Sequence, residues 1–299
     1  MASTVVISGS SGLIGSALAS SLRADGVSVR TLVRRPARDA SEISWDPGTT
    51  MLDPELLAGA GAVVNLNGAS IGHIPWTPRY KSTLLWSRLT PTRALAAALR
   101  TLGNDAPAFV SSSAVGYYGS APGAVLTESD ARGEGFLADI CADWEDAARS
   151  AGDDVSVALL RTAPVVDPRG VLAPLISLTK LGIGGPLGSG TQAWPWISLE
   201  DEVRAIRHVI DKRLTGPVNL TGPTRAVMND LGFALAKQMN RPYLVPAPAW
   251  ALRLALGQDM ADSVLLADAH VTPTALNTSG FQFTHPTVES AVAATISAA

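Results

Sequence analysis

The sequence predicts an α/β protein: a doubly wound parallel sheet covered by helices on both faces, followed by a smaller, mainly helical region. Three observations carry that expectation. Short, uniformly apolar, β-branched runs alternate with helical patterns up to Arg161, as strands buried on both faces require. A glycine-rich turn joins the first of these runs to the first helical stretch. Beyond Arg161 the rhythm breaks into Gly- and Pro-rich chain and shorter helical pieces.

The first strand is predicted over 4–8, where Thr-Val-Val-Ile-Ser ends in glycines. Leu13, Ile14, Ala17, Leu18 and Leu22 then recur at helical spacing, predicting a helix over 13–23. Further strands are expected over 27–33, 62–66, 107–111 and 155–160, with helices over 78–102 and 134–150. Ser198 and Asp201 fit a capping box opening a helix that runs to 212, and 218–220 reads as one more strand. Past Pro246 the helices are short, broken at Gly257, Pro273 and Gly280. Two regions follow: a nucleotide-binding domain over 1–222 and a substrate-side domain over 223–299.

The chain has 299 residues, 46% hydrophobic and 16% charged, with 23 basic and 26 acidic residues and a net charge of −3. That composition excludes disorder. It leaves nucleic-acid or membrane-surface binding without an electrostatic footprint. A single cysteine, Cys141, excludes a disulfide framework, and four scattered histidines (His73, His208, His270, His285) offer no metal-ligand spacing. No apolar run reaches the roughly 18 residues of a membrane helix. A cytoplasmic protein with a small-molecule substrate is expected, without nucleic-acid or membrane partners and without a metal.

Gly9, Ser10, Ser11, Gly12, Leu13, Ile14 and Gly15 form a GxxGxxG turn between the first strand and the first helix. Glycine is needed there because backbone N–H groups must approach a pyrophosphate at the helix N-terminus, and because helix and strand must pack closely. The end of the second strand indicates which dinucleotide binds. NAD-binding sites place a carboxylate about 20 residues beyond the glycines. Here the strand runs into Arg34 and Arg35, with Arg38 close behind, and guanidinium forks suit a 2′-phosphate. NADP(H) is the expected cofactor.

The glycine turn, together with Ser111-Ser112-Ser113-Ala114-Val115-Gly116-Tyr117-Tyr118-Gly119 after the fourth strand, resembles an extended short-chain dehydrogenase/reductase (SDR). More narrowly, the chain resembles the atypical, epimerase-like oxidoreductases with a short C-terminal module. The likeness continues through Asn65-Leu66-Asn67-Gly68, Trp76-Thr77, Ser87-Arg88, Trp144-Glu145, Leu160-Arg161-Thr162 and the Gly184–Gly190 loop. It implies a Rossmann sheet, with Asn65, Leu66, Gly68 and Ser111 lining the cofactor alongside the glycine turn. It also implies a catalytic Ser113, with Tyr117 or Tyr118 beside the nicotinamide. Such proteins commonly pair through helices, so a homodimer is an expectation with no face assigned.

One part of the family pattern is missing. SDRs exchange protons through Tyr-x-x-x-Lys, where i, i+4 spacing sets an ammonium beside a phenol and lowers its pKa. No tyrosine here is followed four residues later by lysine. With Glu145 as register, Leu137 and Cys141 stand in the pair's place. Lys81, at the start of a long helix, is the candidate replacement cation. Arg88 is read as a clamp for an anion or as half of a salt bridge. Cys141 reads as a buried helix residue, Trp194 and Trp196 as core or cleft wall, Asp201 as a cap, and His73 as a loop residue. Residues 190–196 lack the cations that nucleotide-sugar enzymes use to hold a diphosphate. The leading expectation is therefore an NADP(H)-dependent oxidoreductase acting on a small carbonyl or alcohol. The alternatives are a non-catalytic NADP(H)-binding sensor or partner-binding protein, and a sugar epimerase or dehydratase.

Overall fold

The structure, a computed structural model, describes residues 4–170 and 172–297. The first half runs β1 (Thr4–Ser8), α1 (Leu13–Ala24), β2 (Ser28–Val33), β3 (Glu42–Ser44), β4 (Ala62–Asn65), α2 (Pro78–Leu102) and β5 (Ala108–Ala114). Then come β6 (Val125–Leu126), α3 (Phe136–Arg149), β7 (Val157–Thr162), β8 (Val165–Val166), α4 (Leu172–Lys180), β9 (Ile197–Ser198), α5 (Leu199–Lys212) and β10 (Gly216–Leu220). The remainder is α6 (Met228–Gln238), α7 (Ala249–Leu256), α8 (Gln258–Met260), β11 (His270–Val271), α9 (Thr274–Thr278) and α10 (Val288–Ser297).

Seven strands form one parallel sheet in the order β10-β7-β5-β4-β1-β2-β3. The order reverses between β1 and β4, and the crevice at the strands' carboxyl ends there is where open α/β sheets bind ligands. Alternation along each strand separates two cores. Val5, Ile7, Val110 and Leu160 face α1 and α5, whereas Val6, Phe109 and Leu159 face Leu95 and Leu99 of α2 and Ala148 of α3.

Strand boundaries differ from the sequence expectation in a consistent way. β5 extends three residues past 111 and β7 two past 160, because their ends are polar residues that are nonetheless buried: Ser112, Ser113 and Arg161. An apolar-run criterion stops short of such residues, yet the ladder pairs Ser113 with Arg161. The unforeseen β3 is a three-residue edge strand, too short to show a period. The C-terminal helices do not build a core of their own. Leu231, Leu235, Val288 and Val292 pack with Val166, Leu172, Trp194 and Trp196, so this core draws on chain from both sides of residue 222.

Candidate functional site

The glycine turn is shaped by close approach. Gly9 has φ +83°, and a Cβ there would lie 2.6 Å from the Leu66 carbonyl oxygen. A Cβ on Gly15 would meet the Gly9 oxygen at 2.3 Å, so α1 can sit this near β1 only with glycine at that position. Gly12 differs: its φ is −76°, and its single near contact is 3.4 Å. It caps α1 without any side-chain hydrogen bond, so the N–H groups of the first turn, at Leu13 and Ile14, have no side chain to satisfy them. Ser11 and Gly12 are exposed, and neither the Ser10 nor the Ser11 hydroxyl makes a hydrogen bond among the described residues. An uncapped helix start with its positive dipole end open is an anion cradle.

The two arginines after β2 part company. Arg35 forks onto Glu42 of β3, with both Nη–Oε distances 2.6 Å. That bond, with the Arg38 N–H at 2.8 Å, holds the Glu42 carboxyl down to about 2. Arg34 is exposed and makes no ion pair among the described residues.

Asn65 and Ser111 face inward. The Asn65 amide donates to Thr92 Oγ1 of α2 (2.7 Å) and to Ser111 Oγ (3.2 Å), and accepts from the Asn67 amide (2.8 Å). Trp144 Nε1 closes the network on Thr92 at 2.9 Å. These side chains tie β4, β5 and α2 together, and leave the backbone of Leu66 to Gly68 to border the crevice. Gly68 lies against Arg88, whose Cζ would be 3.1 Å from a Cβ there.

Three of the expected catalytic residues, Ser113, Tyr117 and Tyr118, gather around a buried ion pair, and the fourth, Lys81, does not. Glu145 of α3 and Arg161 of β7 meet through Nε–Oε1 (2.8 Å) and Nη2–Oε2 (3.0 Å). Ser113 donates its hydroxyl to Glu145 Oε1 at 2.8 Å. The Tyr118 hydroxyl, 2% exposed as a residue, donates to Asn219 Oδ1 (2.7 Å) and accepts from Arg161 Nη1 (2.8 Å), and burial pushes it up to about 12. The Arg161 guanidinium stacks 3.6 Å over the Tyr117 ring, and the Tyr117 hydroxyl has no hydrogen-bond partner among the described residues. Glu145 and Arg161 are 16 residues apart on different elements, so no spacing rule flags them. The only local signal was Arg161 breaking an apolar run; Glu145 stands among Asp143, Asp146 and Arg149 on a charged helix and gave none.

Leu137 and Cys141 face the turn that follows β5: a Cβ on Gly116 would lie 3.3 Å from Leu137 Cβ and 3.8 Å from Cys141 Sγ. Burial pushes the Cys141 thiol up to about 12, which makes it inert. Lys81 points across the crevice mouth into an ion pair with Asp259, its Nζ 5.0 Å from the Phe136 ring. Met260 and Val264 join Trp76, Leu84, Phe136 and Leu137 in one apolar cluster, so segment 259–264 roofs this side of the crevice.

Arg88 departs from the expected salt bridge. It donates to the carbonyls of Leu84 (2.8 Å) and Ala69 (3.1 Å), lies 5.1 Å over Trp144, and forms no ion pair among the described residues. The carbonyls of its own helix and of the 65–69 loop are simply nearer than any carboxylate. Trp194 and Trp196 are buried, their indoles bonded to the Val264 and Thr224 carbonyls. Ser198, not Asp201, caps α5: its hydroxyl oxygen accepts from the Asp201 N–H at 3.0 Å, while the Asp201 carboxylate accepts from the Ser198 hydroxyl and from the Thr284 and His285 N–H groups. His73 stacks on Tyr80 with ring centroids 4.5 Å apart. No helix among the described residues is long and apolar enough to cross a membrane.

Two family models match this chain: the NAD dependent epimerase/dehydratase family over residues 5–220, and a domain of unknown function, DUF1731, over 247–295. An epimerase family protein of Mycobacterium bovis is 43% identical over 98% of this chain and 97% of its own. A chloroplastic homolog of epimerase family protein SDR39U1 from Arabidopsis thaliana is 33% identical over 97% of this chain and 86% of its own. Among solved structures, the human epimerase family protein SDR39U1 with NADPH superposes with TM-score 0.89 at 26% identity, covering 98% of this chain and 99% of that one.

Proposed function

The chain belongs to the NAD dependent epimerase/dehydratase family, and from that premise we propose that it is an NADP(H)-dependent oxidoreductase acting on a small carbonyl or alcohol. The observation that carries this reading is the uncapped start of α1, reached through Gly9 and Gly15, where a Cβ would collide with backbone, with the Arg34 guanidinium, unpaired among the described residues, at the end of β2. When bound, the nicotinamide supplies or accepts the hydride. The N–H groups at Leu13 and Ile14 would hold the pyrophosphate, and Arg34 would meet the 2′-phosphate. Asn65 and Ser111 fix the loop from Leu66 to Gly68 under the cofactor. The NADPH held by the human relative supports the choice of dinucleotide.

The proton route differs from that of a Tyr-x-x-x-Lys enzyme. Ser113 is committed to Glu145, Tyr118 to Asn219 and Arg161, and Lys81 to Asp259. Tyr117 is the tyrosine with an uncommitted hydroxyl, and in this reading it is the proton donor, with Ser113 and Tyr118 positioning the turn that carries it. The region past residue 222 is the substrate side, its segment 259–264 closing over an apolar cleft. Such walls, with no cation in residues 190–196, favour an uncharged substrate over a nucleotide sugar.

The same commitments favour a second reading, a protein that binds NADP(H) without turning it over. Titrating NADPH by calorimetry and then following its absorbance with a panel of aldehydes and ketones separates the two. Oxidation sensitive to Tyr117→Phe supports the oxidoreductase; tight binding with no oxidation supports the second reading. Absence of dinucleotide binding overturns both.

A further inference from the structure

We propose that the face formed by α4, the 181–185 loop, α6 and α7 docks on an anionic lipid bilayer. Thirteen large hydrophobic side chains are exposed among the described residues, and eight of them fall within 178–183 and 233–254. They include Leu181 (74% exposed), Leu244 (78%), Trp250 (68%) and Leu254 (81%). Scattered single exposures need no explanation, but a concentration of this kind does.

The fold brings the two stretches together. Gly184 bridges Tyr243 in parallel, and the Leu244 N–H donates to the Gly184 carbonyl at 2.9 Å. Phe233 lies against the Tyr243 ring with centroids 4.4 Å apart, and Trp250 and Leu254 continue the surface at i, i+4 on α7. Between them is an apolar depression of about 460 Å³ including its open mouth, lined by Leu178, Ile183, Leu235 and Val245. Its two polar side chains are already bonded, Thr179 to the Leu175 carbonyl and Tyr243 to Asn229. Nothing in it orients a polar ligand, whereas an acyl chain end asks for no orientation.

Charge identifies the occupant. The chain carries 26 acidic residues, yet 168–199 and 231–258 contain none. The cations on this face, Lys180, Lys237 and Arg241, form no ion pair among the described residues. Of the acidic residues at its margin, Asp259 and Asp262 are paired with Lys81 and Arg253, and Asp230, which accepts from the Val227 N–H, offsets one of the three cations. Exposed Trp, Phe and Leu ringed by uncompensated Lys and Arg match an anionic headgroup layer over acyl chains. The whole-chain balance of −3, which argues against membrane contact, averages this local excess away.

The test is flotation of the full chain with vesicles of phosphatidylcholine alone and of phosphatidylcholine mixed with phosphatidylglycerol. Trp250→Ser/Leu254→Ser and Lys237→Glu/Arg241→Glu serve as variants, and unchanged thermal melts show that they fold. Binding is expected to the mixed vesicles only, to weaken with salt, and to fall about tenfold or more in either double variant. No binding to the mixed vesicles, or binding indifferent to both variants, overturns the proposal. A concentration-dependent dimer lost in Trp250→Ser/Leu254→Ser, without vesicle binding, also overturns it and assigns the face to a second copy of the chain.

Discussion

Arg161 and Glu145 face each other through two parallel contacts, Nε–Oε1 at 2.8 Å and Nη2–Oε2 at 3.0 Å, with at most 2% of either side chain open to solvent. Breaking such a pair from one side leaves a full charge stranded in a low-dielectric interior, at about 3–5 kcal/mol. Glu145→Gln is therefore expected to cost roughly that much in urea denaturation. The loss also releases the Ser113 hydroxyl and Arg149 Nη2. An unchanged midpoint would mean that the pair does not organise the site.

Glu202 gives the fold a pH dependence. Its carboxyl is fully buried and, among the described residues, accepts only from Thr162 Oγ1 (2.9 Å) and leaves Oε2 without a partner. Burial raises it to about 8 despite that hydrogen bond. Between the unfolded value of about 4.5 and about 8, the folded chain therefore holds a proton that the unfolded chain has released. Stability is full below that window, falls as pH rises through it, and levels off above it, a total of up to about 5 kcal/mol. Thermal melts of Glu202→Gln should flatten the profile and lie above the native chain at pH 9. Parallel profiles would refute the assignment.

The two arginines after β2 are expected to behave unequally. Arg34→Ala removes a free guanidinium and should weaken NADPH by about 1.5–3 kcal/mol while sparing NADH. Arg35 already satisfies Glu42, so Arg35→Ala should act mainly by loosening β3. Fluorescence titration with both dinucleotides checks this, and equal effects of the two substitutions would contradict it.

The glycine turn separates folding from binding. A methyl at Gly15 collides with backbone at 2.3 Å, so Gly15→Ala should destabilise by about 1–3 kcal/mol or more. Gly12 has an ordinary φ and a single contact of 3.4 Å. Gly12→Ala should keep stability within about 1 kcal/mol and still lose dinucleotide affinity, because its methyl stands before the open helix end. Calorimetry on both variants checks the pair of outcomes.

Tyr118→Phe should cost about 1–3 kcal/mol, since Arg161 Nη1 and Asn219 Oδ1 each lose a buried partner. The native hydroxyl stays protonated until about 12, so stability attached to it is intact below the free phenol's value of about 10 and lost from there to about 12. Alkaline denaturation of the two proteins should converge over that window.

The sheet was legible because its strands are buried on both faces and so read as unbroken apolar runs, Val5 to Ile7 and Ala62 to Val64 being the clearest. The glycine turn was legible because steric demands act within seven residues. What stayed hidden depends on distant chain. Arg161 and Glu202 look like surface charges, and nothing local says that one meets Glu145 while the other meets only a threonine. Lys81 was a candidate for the cleft, but its partner Asp259 comes from a segment that sequence spacing cannot bring near it.

Arg88 keeps a positive charge among neutral carbonyls, with Gly68 packed against it and no ion pair among the described residues. Burial lowers the Arg88 pKa, yet at neutral pH the guanidinium keeps its charge and places it beside the Leu66–Gly68 loop. Chloride, phosphate or sulfate from the buffer will compete for that spot with any negatively charged ligand. Affinities measured in one salt will not transfer to another, and the protein's overall negative charge gives no warning of it.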